Sequence, residues 1–257
     1  MPVKVGTAPA FEEAPNRLRA ATASSAIRIA AIYSDAVLAL AVLASTLAAA
    51  CPQSLANGIT TPAAARQLIT VEAKVARTTY AELRTWRREN GCWVAAAGPF
   101  GARLGKNGLS ARRREGDGTT PTGTYRIGRT MYGNEANPGV RFGYRRLGCG
   151  DWWDEDPSSP TYNSFQHVAC GTKPPFGGGS EGMWQQPQPY PYLAVVEYNM
   201  PPVVPGRGSG IFLHAQTGGP TIGCVSLRRD QLRAVLRWLR PAAAPVIAIG
   251  TRAQLRG

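Results

Sequence analysis

Helical periodicity is concentrated in one stretch of this sequence, and that feature limits the fold more than any other. Apolar residues from Leu232 to Leu239 recur with the spacing of one helix face, and Pro241 follows as a stop signal. Elsewhere the apolar runs are short or alternating, and 29 glycines and 21 prolines spread along the chain indicate many turns. The sequence therefore predicts a mainly β fold with one α-helix over residues 228–239.

Strand patterns lie on both sides of the turn-rich middle of the chain. No internal repeat and no regular alternation of strands with helices appears, so we predict one mostly-β domain. The predicted strands fall within Gln67–Gly98, Thr124–Ile127, Tyr192–Asn199, Gly210–Ala215 and Pro245–Gly250.

The N-terminal region carries an uncharged run, Ala36–Cys51. At about fifteen apolar residues it is short for a membrane span, which needs roughly twenty. The run suits the hydrophobic core of a secretory signal that is cleaved after the small residues Ala48–Ala50. We therefore expect export, while an uncleaved membrane anchor and a lipoprotein with its lipid on Cys51 stay open.

The sequence divides into three parts. Residues 1–50 form the signal or anchor region. Residues 51–66 lack periodicity and are predicted to be a linker, and residues 67–252 form the predicted catalytic domain.

The chain is strongly basic, with a formal net charge of +13. Such a charge favours an anionic partner. The densest basic clusters, within residues 111–115 and 228–240, are not interleaved with aromatic residues as in a single-strand binder. For an exported protein we expect an anionic cell-wall polymer or a membrane surface as partner, and no nucleic acid.

Export would place the cysteines in an oxidising compartment, where disulfides persist. Cys149 and Cys170 bracket an acidic, aromatic loop, and we predict a disulfide between them worth roughly 3 kcal/mol. Cys92 and Cys224 either form a second bridge or stay free.

Metal and phosphate sites are not predicted. The histidines, His167 and His214, lie far apart without a zinc-ligand pattern. The acidic group around Asp151–Asp156 lacks the ligand spacing of a calcium loop. The glycine-rich stretch 116–123 lacks Gly-Lys-Ser/Thr and leads into a strand, so neither a phosphate loop nor a cofactor is expected.

His214 and Cys224 have the spacing of a base and a nucleophile. His214 ends an apolar run, Gly218–Pro220 permits a chain reversal, and Gly223 precedes the cysteine. A cysteine nucleophile needs such a base and nearby backbone N–H groups. From spacing alone, a strand histidine and a buried structural thiol are the more common interpretation, and the catalytic pair is the alternative.

The sequence from His214 to Ser226, which contains Thr-Ile-Gly-Cys-Val-Ser, resembles the active-site motif of the YkuD-type L,D-transpeptidase family. Upstream, Arg113–Gly128 is similar to that family's Gly-Asp-x-x-Thr-Pro-x-Gly stretch. The resemblance covers about residues 67–250 and is closest to exported actinobacterial members with a Trp-Trp-Asp loop.

The resemblance implies roles for individual residues. Cys224 corresponds to the nucleophile and His214 to its base, and the backbone N–H groups of Ile222, Gly223 and Cys224 correspond to the oxyanion hole. Two residues depart from the motif, since Ile222 replaces a second histidine and Ser226 replaces an Asn or Arg that would anchor substrate.

Further expectations follow from the resemblance. The fold would be a β-sandwich or mixed sheet, Cys224 would be free, and Cys92 would be a buried free thiol. His167 is expected to be a surface or packing residue. The candidates for substrate contacts, some of them possible walls of the cleft, are Thr221, Ser226, Trp152, Trp153 and Tyr162.

The resemblance implies an exported peptidoglycan L,D-transpeptidase that acts as a monomer on diaminopimelate-type stem peptides through a thioester. Pairing with His214 would lower the Cys224 thiol pKa. An L,D-carboxypeptidase or endopeptidase on the same scaffold and a non-catalytic wall-binding protein are the alternatives.

Overall fold

Seven of the fourteen strands overlap the predicted ranges in the computed structural model, which describes residues 50–256. The predicted signal or anchor falls on residues that, Ala50 apart, lie outside this range. The strands are β1 Gln67–Ala73, β2 Tyr80–Glu89, β3 Cys92–Arg103, β4 Leu109–Ser110, β5 Thr120–Pro121, β6 Gly123–Gly133, β7 Gly143–Arg146, β8 Asp151–Asp154, β9 Ser164–His167, β10 Glu181–Gly182, β11 Leu193–Val196, β12 Phe212–Ala215, β13 Val225–Leu227 and β14 Val246–Thr251. The helices are α1 Arg229–Trp238 and α2 Arg252–Arg256.

Nine strands form one mixed sheet in the order β11-β12-β13-β3-β2-β1-β14-β6-β7. Strand β11 also pairs with β6, so eight of these strands close into a ring and β7 extends from β6. The pairs β1–β14, β6–β7 and β12–β13 are parallel, and the other pairings in this sheet are antiparallel. The predicted mainly β, mixed-sheet fold is confirmed.

Helix α1 buries its apolar face against the large sheet. Leu232, Val235 and Leu236 are buried in the main core cluster, together with residues from β12 and β13. The predicted helix is confirmed and differs by one residue at each end. The periodic leucines supply the buried stripe that holds this helix on the sheet.

A disulfide between Cys149 and Cys170 closes the acidic, aromatic loop and confirms that prediction. Within the loop, β8 and β9 form a small antiparallel sheet that β10 completes. The loop is therefore a folded part of the domain, next to β11 and β12 through the buried Trp153.

Residues 51–66 pack on the domain, contrary to the predicted linker. Leu55 and Ile59 are buried in a cluster with Trp93, and the Asn57 side chain accepts a hydrogen bond from the Trp93 N–H. Apolar residues held in a short 3-10 turn show no periodicity, which is why the sequence pattern missed them.

Cys92 forms a disulfide with Cys51, so the prediction of a free Cys92 thiol is wrong. The bond also uses the thiol that lipid attachment to Cys51 would need. No helix within residues 50–256 is long and apolar enough to cross a membrane.

Candidate active site

Strands β12 and β13 place the histidine and the cysteine in one region of the sheet. The two strands are parallel, with His214 opposite Ser226 and Leu213 opposite Val225. Cys224 immediately precedes β13, at the end of the loop that returns from β12. The chain reversal that the glycine-proline stretch predicts is therefore present.

The Cys224 thiol is free and half-buried. Its Sγ donates to the Gly210 carbonyl oxygen at 3.2 Å and accepts from the Phe212 N–H at 3.3 Å. Burial raises the thiol pKa to about 12, and the carboxylates of Glu181 and Glu155 add to this effect. The predicted lowering of this pKa by His214 is wrong.

His214 is buried, and its orientation is fixed. Its Nδ1 lies 2.8 Å from the Ala215 carbonyl oxygen. Because a carbonyl only accepts, Nδ1 carries the proton and Nε2 keeps its lone pair. The Tyr190 ring packs edge-on at 5.5 Å between ring centroids. Burial lowers the imidazole pKa to about 4, so His214 is neutral at neutral pH.

Thr221 holds together the turn before Cys224. Its hydroxyl donates to the Cys224 carbonyl oxygen at 2.7 Å and accepts from the Gly223 N–H at 3.1 Å. Thr221 therefore holds the turn. Contrary to the prediction, the Gly223 N–H is not free to donate to an oxyanion, because it already donates to this hydroxyl. Within the described chain, the N–H groups of Ile222 and Cys224 have no hydrogen-bond partner. The Ile222 side chain, 70% exposed, stands beside them.

Trp153, Tyr162 and Ser226, which were predicted as possible substrate contacts, are buried. Trp153 packs edge-on against Phe212 at 5.0 Å. The Tyr162 hydroxyl donates to Glu115, and the Ser226 hydroxyl has no hydrogen-bond partner in residues 50–256. Their burial does not support the prediction that these three side chains contact substrate.

Trp152 and His167 both belong to the loop that the Cys149–Cys170 disulfide closes. Trp152 is half-buried and packs edge-on against Phe176 and Trp184. His167 is exposed, with its Nδ1 2.7 Å from Asp151. No contact in the described residues brings either one to Cys224.

Several residues near the thiol escaped the sequence prediction. The Tyr190 hydroxyl donates to Glu181 at 2.7 Å. The Glu155 carboxylate lies so close to Gly210 that a side chain there would collide with it. Burial, together with Glu181 and Glu115, raises the Glu155 pKa to about 8. No sequence motif marks these two acidic residues, since Glu155 directly follows β8 and Glu181 lies in β10, 26 positions further along the chain.

The aspartates of the acidic loop accept hydrogen bonds from residues in and next to the loop. Asp151 accepts hydrogen bonds from Arg145 and from the Gly148 N–H, and Asp154 accepts from Ser159 and Thr161. In residues 50–256, no three histidine, cysteine or acidic side chains are grouped so that they could hold a metal ion.

A free cysteine, an oriented neutral imidazole and two unoccupied backbone N–H groups define the class of site that cysteine-dependent acyl transfer uses. Comparison with protein-family models matches residues 69–248 to YkuD, the L,D-transpeptidase catalytic domain. The chain belongs to this family. Searches of curated proteins and of solved structures gave no match.

Proposed function

We propose that this protein is an exported peptidoglycan L,D-transpeptidase with Cys224 as its nucleophile and His214 as its base. The observation that carries the proposal is the free Cys224 thiol in the same part of the sheet as an imidazole whose Nδ1 is committed to the Ala215 carbonyl. Membership of a family that acts on peptidoglycan stem peptides supports the substrate class.

In the first half-reaction, the neutral thiol attacks the carbonyl of a diaminopimelate residue in a stem peptide. Nε2 of His214 accepts the thiol proton as the S–C bond forms, and the N–H groups of Ile222 and Cys224 stabilise the oxyanion. The imidazolium then gives this proton to the departing amine. The products are a Cys224 thioester and a free terminal D-residue.

In the second half-reaction, the amine of a neighbouring stem peptide attacks the thioester. His214 accepts a proton from the attacking nitrogen and returns it to the departing Cys224 sulfur. A new amide bond forms, the S–C bond breaks and the thiol is regenerated. No metal or cofactor takes part in either step.

Two disulfides support export, because such bonds persist in oxidising compartments. Cleavage after Ala50 would leave Cys51 as the first residue, tied to Cys92. The surface of α1 supports an anionic cell-wall polymer as partner, since the exposed Arg229, Arg233 and Arg237 recur every four residues. We propose that the enzyme acts as a monomer.

Mass spectrometry after incubation with a carbapenem, which acylates cysteines of this family, tests the proposal. We expect wild type to gain one drug mass and Cys224→Ala to gain none. Equal uptake by the two proteins would exclude Cys224 as the nucleophile. With a disaccharide-tetrapeptide as substrate, dimers indicate transfer, and shortened monomers indicate a carboxypeptidase.

A further inference from the structure

The Arg112–Arg114 run places one arginine inside the protein and two outside. The Arg113 side chain is only 4% exposed, whereas Arg112 and Arg114 are exposed. A guanidinium is seldom buried unless its charge or its hydrogen bonds are used. The three positions carry the same side chain in nearly the same chain segment, so the outer two are matched controls for the middle one.

The Arg113 guanidinium lies directly against the turn that carries the nucleophile. Its Nη1 donates to the Ile222 carbonyl oxygen and to Asp117 Oδ1, each at 3.4 Å, and to the Thr119 carbonyl oxygen. A methyl group added at Gly223 would lie 2.4 Å from Nη1. The absence of a side chain at residue 223 therefore lets the cation approach the backbone next to Cys224.

A second glycine completes the space around this side chain. A methyl group added at Gly208 would lie 2.5 Å from Nε of Arg113. This Nε is buried and has no hydrogen-bond partner in residues 50–256. An unpaired buried donor destabilises the folded state, so packing alone gives no reason for a guanidinium here.

The charges around Cys224 give that reason. Glu181 and Glu155 both act on the thiol and disfavour its anion. Arg113 is the cation that opposes them, and it also acts on Glu155. The neighbouring His214 is neutral. Asp117 and Glu115, the other acids near Arg113, accept hydrogen bonds from the hydroxyls of Thr119 and Ser209, respectively.

We propose that Arg113 is a positioning residue for the nucleophile. It holds the Ile222–Cys224 turn through the Ile222 carbonyl, and its charge stabilises the sulfur anion that develops beside Glu155 and Glu181. This inference rests on the proposed role of Cys224. Arg113, the first residue of the Arg113–Gly128 stretch, has no role in the acyl-transfer steps themselves, and the proposed positioning gives it one.

Alkylation of the native protein by iodoacetamide between pH 6 and 10 tests the charge effect. Cys224 is the free thiol of the described chain, and this reaction needs no transpeptidase activity. We expect Arg113→Met to react at least tenfold more slowly than wild type at each pH, which corresponds to a thiol pKa about one unit higher. Arg112→Met and Arg114→Met should stay within twofold of wild type.

Arg113→Lys separates the charge from the hold on the turn and guards against misfolding of the methionine variant. The lysine keeps the charge, so its alkylation should follow the wild-type pH profile. It lacks the fork that reaches Asp117, Thr119 and Ile222 together, so its carbapenem acylation should fall at least tenfold.

Three results would overturn the proposal. The first is that Arg113→Met is alkylated as fast as Arg112→Met and Arg114→Met. The second is that Arg113→Lys shows the same change in alkylation with pH as Arg113→Met. The third is that Arg113→Lys is acylated by the carbapenem at the wild-type rate. If wild type takes up no carbapenem, the proposed function fails, and the alkylation series still reports on the charge of Arg113.

Discussion

His214 and Cys224 are both uncharged over a wide pH range. Burial places the imidazole pKa at about 4 and the thiol pKa at about 12. A preformed thiolate–imidazolium pair would need these two values in the opposite order. The thiol instead keeps its proton and donates a hydrogen bond to the Gly210 carbonyl oxygen. In the mechanism proposed above, proton transfer to His214 therefore accompanies attack on the substrate, and acylation depends on this base.

Replacing His214 by Asn tests this dependence. We expect acylation by a carbapenem to slow by about 10²–10⁴-fold, because the general base is lost while the fold is kept. His167→Asn is the matched control, since its exposed imidazole pairs with Asp151 and should leave the rate within twofold of wild type. The measurement is the rate of drug adduct formation by mass spectrometry. A His214→Asn rate within threefold of wild type would contradict the role as base.

Elements with a strong local pattern could be predicted from the sequence. Helix α1 has a periodic apolar face, and β1 to β3 alternate, so both follow from local chemistry. The pairing of His214 with Cys224 stays a prediction; a short motif suggests it, and the fold places the two residues on β12 and directly before β13. Ring closure through β11 and β6 depends on pairing between distant segments, which no local pattern records.

The wrong predictions of where individual side chains lie have the same physical cause. Trp153 and Tyr162 look like exposed aromatic residues of an acidic loop, yet their polar groups bond Asn163 and Glu115 inside the domain. Arg113 is indistinguishable in sequence from its two neighbours. Burial of each of these side chains is decided by partners that the fold brings from elsewhere.

The N-terminal segment gives an element-scale prediction. The Cys51–Cys92 bond closes a separation of 41 residues and holds the Leu55–Ile59 turn on the domain. Loop-closure entropy for this length corresponds to about 4 kcal/mol. Changing both cysteines to Ser should lower the melting temperature by roughly 8–16 °C, at about 2–4 °C per kcal/mol for a domain of this size.

Calorimetry of the double serine variant against wild type measures this shift. Reducing agent should bring wild type toward the variant's melting temperature, after allowance for the Cys149–Cys170 bond. A shift below about 2 °C would mean that residues 51–66 stay packed without the disulfide, or contribute little to stability.

At the scale of the whole molecule, a basic sequence contrasts with two acidic side chains near Cys224 inside the described domain. The chain has a formal net charge of +13, with exposed arginines along α1. Glu155 and Glu181 nevertheless lie near the thiol, and burial raises the pKa of both. Burial is the main reason that the thiol pKa is raised, and the two acidic residues add to this effect.

This interior charge makes the stability of the domain depend on pH. Burial and nearby carboxylates raise the Glu155 pKa from 4.5 to about 8, so the native state binds a proton more tightly than the unfolded chain. The stabilisation is complete below about pH 4 and is lost progressively as the pH rises to about 8. The carboxylate is then charged in both states, and the native state holds it where water is scarce.

Glu155→Gln removes this titration while keeping the size of the side chain. Between pH 5 and pH 9 we expect the melting temperature of wild type to fall relative to the Gln variant, at about 2–4 °C per kcal/mol. Glu82→Gln, at an exposed carboxylate beside Arg84, is the control and should run parallel to wild type. Melting curves that stay parallel for Glu155→Gln as well would show that this carboxyl titrates normally in the native state. The thiol would then lie beside a charged carboxylate throughout the neutral range, and Arg113 would have to offset a correspondingly larger negative field.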